Sequence, residues 1–466
     1  MKYYSTRDRS TSVSFSAAAL NGLASDGGLF IPQEIPQFSP SVRSSLGTMS
    51  FIELAFETIR PYVHEDIPDS VLGDMVESAF NFPAPLVPVD DRFVLELFHG
   101  PTAAFKDFGA RFMARSFAYL RRNEDRELHI LVATSGDTGG AVADGFFGVE
   151  GIAVTVLYPK GRVSPLQERQ IAGLGGNVSA IAVEGSFDDC QRLVKSAFVH
   201  PELSRRLNLS SANSINISRL VPQSVYYVAA SALAKSGRYS QDGKATPRMR
   251  GTGEGQRAVR DGRLGKDVLF CVPSGNFGNL TAGLYAQAMG APIAGFIAAT
   301  NINKTVPEYL ASGVYQPRPS VATISNAMDV GAPSNFERMT AHWSYEELRK
   351  NIHGFWVDDG KTKETITRVF DQAGYVLDPH GAVGWTAVDQ WLAAKEDPAH
   401  PFAGFSGPVA VLGTAHPAKF AETVEPLVGP VPVPPSLAEA MGRTVQSVTI
   451  RADVEALVET LLTLRS

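Results

Sequence analysis

From Arg92 onward, short apolar runs alternate with segments whose apolar positions recur every three to four residues. That is the rhythm of βα units and a parallel sheet. The runs predict strands over 93–97, 129–133, 152–157, 178–183, 268–272, 293–298 and 409–412. Helix-period segments follow most of them, over 106–121, 140–147, 165–174, 187–199, 222–234 and 280–289. The chain before Arg92 reads differently, with a turn-rich Ser25-Asp26-Gly27-Gly28-Leu29-Phe30-Ile31-Pro32 and a helical stretch near 50–59. The tail over 453–464 is amphipathic and predicts a packing helix. The expected organisation is an N-terminal domain over 1–92, an α/β region of two subdomains over 93–425, and a C-terminal helical segment over 426–466 packed on the core.

One stretch breaks the rhythm. Residues 236–266 are poor in apolar side chains, rich in glycine, and carry eight basic against three acidic groups. They read as a flexible surface insertion, a solvated loop or a binding arm. The whole chain of 466 residues has a net charge of −6, so the insertion's +5 leaves −11 for the rest. A basic nucleic-acid footprint is not expected from that balance. Two cysteines, Cys190 and Cys271, make neither a disulfide framework nor a zinc-ligand pattern. No apolar run reaches the roughly 18 residues of a membrane span, and the first residues lack a secretory apolar core. The expectation is a soluble cytoplasmic protein with no nucleic-acid or membrane partner and no metal, a monomer or a weak homodimer.

Parallel sheets bind ligands at the carboxyl ends of their strands, where helix N-termini offer free N–H groups. Four such junctions have unusual chemistry. In His99-Gly100-Pro101-Thr102-Ala103-Ala104-Phe105-Lys106-Asp107, Lys106 opens a helix, where the positive dipole end opposes its charge. A lysine placed there has a lowered pKa and can form a Schiff base, although a surface lysine with a buried stem fits the spacing as well. Thr134-Ser135-Gly136-Asp137-Thr138-Gly139-Gly140 sets small hydroxyls and glycines at a helix start, suited to a carboxylate or phosphate or to a simple capped turn. Its Asp137-Thr138-Gly139 matches the aspartic-protease tripeptide, but the chain has no second copy and no all-β rhythm. Ser274-Gly275-Asn276-Phe277-Gly278-Asn279 reads as a phosphate cradle without the Walker lysine, or as a structural glycine turn. Gly413-Thr414-Ala415-His416-Pro417-Ala418-Lys419 offers a neutral hydroxyl at Thr414. Its His416 is a candidate acid or base, or a helix cap.

The four junctions in this order resemble the fold type II pyridoxal-phosphate enzymes, whose architecture is like that of the tryptophan synthase β subunit. The match is closest to the threonine synthase family in its long bacterial and fungal form. It extends to Tyr4-Ser5-Thr6-Arg7, Asp26-Gly27-Gly28-Leu29-Phe30, Asn213-Ser214-Ile215-Asn216-Ile217-Ser218-Arg219 and Asn326-Ala327-Met328-Asp329-Val330-Gly331, and covers nearly everything except 236–266. The resemblance implies an α/β fold of parallel and mixed sheets flanked by helices, the family's N-terminal domain over 1–92, and pyridoxal 5′-phosphate in the cleft of 93–425.

It also implies roles. Lys106 is the catalytic lysine and carries the cofactor covalently. Gly275, Asn276, Phe277, Gly278 and Asn279 bind the cofactor phosphate, and Thr414 faces the pyridine nitrogen. Asp137 stands where many fold relatives have an asparagine beside the cofactor's 3′-oxygen, so it must donate a proton, share one, or point elsewhere. Thr134, Ser135 and Thr138 hold the substrate carboxylate, while Asn213, Ser214 and Arg219 hold the substrate phosphate. The implied reaction converts O-phospho-L-homoserine and water to L-threonine and phosphate, the last step of threonine biosynthesis. A threonine or serine dehydratase of the same fold should lack the 213–219 phosphate site. An idle homologue serving as a binding module should lack the lysine.

Overall fold

The computed structural model describes residues 1–239, 263–397 and 402–464, so most of the predicted insertion lies outside the described residues. The described strands are β1 (Tyr3–Ser5), β2 (Phe30–Pro32), β3 (Leu86–Val89), β4 (Arg92–Glu96), β5 (Leu128–Ala133), β6 (Ile152–Pro159) and β7 (Val178–Glu184), followed by β8 (Asn208–Ser210), β9 (Val268–Pro273), β10 (Ile293–Thr300), β11 (Ile352–Trp356), β12 (Val409–Gly413) and β13 (Val448–Arg451). They form three sheets. One has six strands in the order β11-β10-β9-β12-β4-β3, one has five in the order β13-β7-β6-β5-β8, and β1 pairs with β2. The five-stranded sheet is parallel throughout, and in the six-stranded sheet only the β3–β4 pair is antiparallel.

All seven strands expected from the apolar runs are present. Each is buried on both faces, which is why its sequence is continuously apolar rather than alternating. The two faces of each sheet enter different cores. Ile130 and Val132 of β5, Phe270 and Val272 of β9, and Leu412 of β12 point into one large core shared by both sheets. Their neighbours turn outward. Leu269, Cys271 and Val411 pack under the helix Pro379–Ala394 with Trp385 and Trp391, and Leu131 and Ala133 pack with Leu193, Val194, Leu457 and Leu461. The period of two along each strand thus joins the two sheets through one shared interior.

The N-terminal residues close the open side of that interior. The helix Phe51–Val63 starts at a capping box between Ser50 and Glu53 and packs on the helix Ser224–Lys235. The helix Asp69–Ala79 packs on the helix Lys106–Leu120. The same domain reaches the 213–219 segment. Asn216 donates to the Ala19 carbonyl at 2.8 Å, and fully buried Arg338 donates to Phe30 O at 3.0 Å and to Ile215 O at 2.8 Å. The tail carries a strand as well as helices. β13 adds to β7, and the helix Val454–Thr463 packs on the helix Phe187–Val199. Three of the four β13 side chains are exposed, so no apolar run marks this edge strand in the sequence. Among the described residues no helix is long and apolar enough to cross a membrane.

The helix carrying Lys106 approaches the 213–219 segment very closely. A Cβ on Gly109 would lie 2.7 Å from the Arg219 carbonyl oxygen. Helix propensity alone makes Gly109→Ala stabilising by up to about 1 kcal/mol, whereas overpacking against backbone costs about 1–3 kcal/mol. Packing should win. Urea unfolding of Gly109→Ala is expected to give a lower midpoint, and a higher midpoint would show that the approach is loose.

Candidate active site

Four strand ends meet at one cavity lined by Lys106, Asp137, Arg219, the 274–279 loop, His380 and Thr414. β4 leads through a nine-residue loop to the helix Lys106–Leu120. That loop is pinned to the strand end of β12: Leu97 N donates to Gly413 O, Phe105 N to Thr414 O, and His416 N to Ala103 O, at 2.9–3.0 Å. Ala103 adopts a left-handed φ of 52°. Thr102 braces the turn by donating from its N–H (3.0 Å) and its hydroxyl (2.5 Å) to the Asp107 carboxylate. Burial pushes the Asp107 carboxyl up to about 7 against those two bonds. The result is a rigid first turn that presents Lys106 to the cavity.

Lys106 Nζ lies 3.7 Å from Asp137 Oδ2, and its side chain keeps 13% of its surface exposed. Burial lowers its pKa to about 8; Asp137 works against this, while the charges of Lys419 and Arg219 add to it. Asp137 opens the helix Asp137–Phe146 after β5. Its other oxygen, Oδ1, accepts from Lys419 Nζ at 2.7 Å and from Gln167 Nε2 at 3.0 Å. Burial alone would raise the Asp137 carboxyl, but Lys419, Lys106 and His380 together hold it well below the ordinary carboxylate range. Its two donors and the facing lysines thus favour the ionised form of Asp137 in this arrangement. Thr134 builds the same turn, its Oγ1 accepting from Gly136 N (2.9 Å) and Gly139 N (2.8 Å), while Ser135 and Thr138 line the cavity half-buried.

The glycine loop after β9 is shaped for close approach. A Cβ on Gly275 would meet Ala327 O at 2.5 Å, and Phe277 takes a left-handed φ of 58° before the helix Gly278–Met289. The turn leads into a helix start, whose first N–H groups have no intrahelical partner and suit an anion. Asn279 fixes the helix start. Its Oδ1 accepts from Tyr226 (2.6 Å) and Tyr227 (2.7 Å), leaving its buried Nδ2 with no partner in the protein. Asn276 Nδ2 donates to Ser214 Oγ at 2.6 Å and so links this loop to the 213–219 segment. There Arg219 is 2% exposed. Its Nη1 donates to Ala212 O at 2.7 Å and its Nε has no partner. Burial lowers the guanidinium to about 10, so it stays charged at neutral pH. Asn213 Oδ1 is also buried without a partner.

Every residue given a site role in the sequence thus lines this cavity. Two residues were missed. Lys419 is fully buried, and besides Asp137 it donates to Thr102 O at 2.9 Å. Its signal was a lysine set among apolar neighbours, between Ala418 and Phe420. His380 follows the N-cap Asp378 and Pro379, a helix-start signal. Its Nδ1 bonds Asp378 Oδ2 at 2.6 Å, and its Nε2 accepts from Ala327 N at 3.3 Å. His416 proves to be a cap, its Nδ1 accepting from Ala418 N at 3.2 Å. Among the described residues no cluster suited to a metal ion occurs.

Three family models match the chain: "Threonine synthase N terminus" over residues 2–80, "Pyridoxal-phosphate dependent enzyme" over 83–400, and "Threonine synthase, C-terminal" over 381–461. A threonine synthase from Serratia marcescens is 42% identical over 445 residues, 94% of each chain. The crystal structure of threonine synthase from Escherichia coli superposes with a TM-score of 0.85 at 39% identity, covering 100% of both chains. That of PLP-bound threonine synthase from Brucella melitensis gives 0.83 at 36%, covering 100% of this chain and 99% of the other.

The Asn279 arrangement makes a graded prediction about stability. Tyr226→Phe should cost only about 0.5–1.5 kcal/mol, because Tyr227 still donates to Asn279. Asn279→Ala should cost more, about 1–3 kcal/mol for each hydroxyl left without an acceptor, since the Tyr227 hydroxyl then has none. Urea unfolding of the two variants checks the order, and equal losses would contradict it.

Proposed function

The chain belongs to the threonine synthase family, and on that premise we propose that it converts O-phospho-L-homoserine and water to L-threonine and phosphate, with Lys106 as its catalytic residue. It is a pyridoxal-phosphate-dependent enzyme of fold type II acting on a small molecule. The residues present suit that cofactor. An amine of lowered pKa matches an aldehyde, a helix N-terminus with an unpartnered Asn279 amide matches a phosphate, and Thr414 offers a neutral hydroxyl to a ring nitrogen. When bound, the cofactor supplies an electron sink for the charge left as the substrate's Cα–H and Cβ–H bonds break.

One observation carries the choice of substrate. The cavity is lined both by the 275–279 loop and by the buried Arg219, two groups suited to anions, with the Lys106 amine in the same space. A cofactor phosphate takes the first. Arg219, buried and in no ion pair among the described residues, is left for a second phosphate, and its unpartnered Nε can supply one prong of a fork. A dehydratase substrate has no group for it.

The division of labour follows. The half-buried Ser135 and Thr138 at the start of the helix Asp137–Phe146 hold the substrate carboxylate, and Thr134 shapes their turn. Arg219, with Asn213 and Ser214, holds the phosphate as its bond to Cγ breaks and its charge grows. Lys106 Nζ takes protons from Cα and Cβ, and protons return at Cγ and Cα as water adds its hydroxyl at Cβ.

The direct test compares phosphate release from O-phospho-L-homoserine with ammonia release from L-threonine. The proposal expects the first to dominate, and dominant ammonia release would favour a dehydratase. Lys106→Ala should abolish turnover while the protein still folds. Arg219→Ala should lower kcat/KM about ten- to hundredfold, the worth of a charge-assisted phosphate contact of roughly 1.5–3 kcal/mol, with cofactor affinity unchanged. Arg219→Lys should restore only part of it, because an ammonium lacks the fork. Lost cofactor binding with intact substrate kinetics would refute the role given to Arg219.

A further inference from the structure

We propose that Lys419 is a positioning residue for the reaction: by binding Asp137 Oδ1 itself, it holds that carboxylate off Lys106 and leaves the Lys106 nitrogen free to give up its proton. The inference rests on the reading of Lys106 as the cofactor lysine, and it concerns how that nitrogen is kept reactive.

The geometry is unequal. Asp137 sits between two lysines, 2.7 Å from Lys419 Nζ and 3.7 Å from Lys106 Nζ. The shorter contact is a charge-assisted hydrogen bond, whereas the longer is beyond hydrogen-bond range. Lys419 is held in this posture from elsewhere. It leaves the short helix Pro417–Phe420 after β12, has 0% side-chain exposure, and donates also to Thr102 O at 2.9 Å. Gln167 donates to the same Oδ1 at 3.0 Å, so Asp137 is pulled to that side by two donors. Asp137 and Lys419 come from different sheets, since β5 belongs to the five-stranded and β12 to the six-stranded one. The pair therefore also spans the cleft.

The charges around Lys106 come from every wall. Asp137 faces it from the helix Asp137–Phe146, Lys419 from the segment after β12, and Arg219 from the helix Ile217–Leu220. His380, on the helix Pro379–Ala394, acts on Asp137 rather than on Lys106, and Asp107 on the lysine's own helix is turned to Thr102. One carboxylate thus faces three cationic side chains. An undivided Asp137–Lys106 pair would favour the ammonium form and oppose nucleophilic or basic use of the nitrogen. With Lys419 taking the carboxylate, burial dominates instead, in line with the lowering of Lys106 to about 8.

A lysine that only struts the cleft would change melting when replaced, without moving the titration at Lys106. The test is made on full-length wild type and Lys419→Met. Protonation at the Lys106 nitrogen is read in the holoenzyme from the pH dependence of its visible absorption. In the same chain stripped of cofactor it is read from the pH dependence of Lys106 acetylation, scored by peptide mass spectrometry. Lys419→Met should raise both midpoints by about one pH unit or more, slowing acetylation at pH 8 by roughly fivefold or more. Midpoints that stay or fall would overturn the proposal. If Lys419→Met does not fold, Asp137→Asn decides. Removing the carboxylate should lower the Lys106 midpoint, and no movement would mean that Asp137 does not act on Lys106 at all. If wild type forms no visible band with pyridoxal phosphate, it is the cofactor role of Lys106 that fails, and the acetylation arm still decides on Lys419.

Discussion

A single buried carboxylate organises this cavity. Asp137 is 3% exposed, and an unpaired charge at that depth would be untenable, so its partners are fixed by necessity. Those partners come from across the molecule: Lys419 from the end of β12, Gln167 from the helix Pro165–Ala172, and Lys106 from the loop after β4. Satisfying one anion brings the ends of two sheets together. The surplus is positive, since Lys106, Lys419 and Arg219 face one ionised carboxylate. A cavity with that balance is built to receive anions.

The fold supplies the rest through one rule applied at four strand ends. Each strand delivers a short loop to the cleft, and each loop carries what its position requires. After β5 that is hydroxyls, after β9 a glycine turn, after β12 a threonine, and after β4 a rigid turn ending in a lysine. The N-terminal domain takes part indirectly. Through Asn216 and Arg338 it braces the 213–219 segment, which presents Arg219, and Gly109 lets that segment lie against the Lys106 helix. The distance from Tyr3 to the chemistry is bridged by packing.

Much of this was legible in the sequence, and what was not has physical causes. Strands buried on both faces announce themselves as apolar runs, and all seven so read are present, with the expected fold class. The strands that escaped notice, such as β8, β11 and β13, are short or half-exposed edges whose side chains follow no apolar pattern. The helix Pro379–Ala394 is apolar nearly all round, so it shows no stripe, although Asp378 and Pro379 mark its start. In the site, Lys106 and the glycine loop were visible because helix starts and glycine turns are local. Lys419 was not. Its meaning lies in a partner 282 positions away in sequence, Asp137, and no spacing rule connects them. The ionisation of Asp137 was unreadable for the same reason.

Two lysines face Asp137 here, and they have opposite tasks: Lys106, which lines the cavity, binds the cofactor, and buried Lys419 holds the carboxylate. Borohydride reduction of the protein loaded with pyridoxal phosphate, followed by peptide mapping, separates them most directly. The account predicts a single stable pyridoxyl label on the peptide containing Lys106. A label on the Lys419 peptide, or none on either, would contradict it.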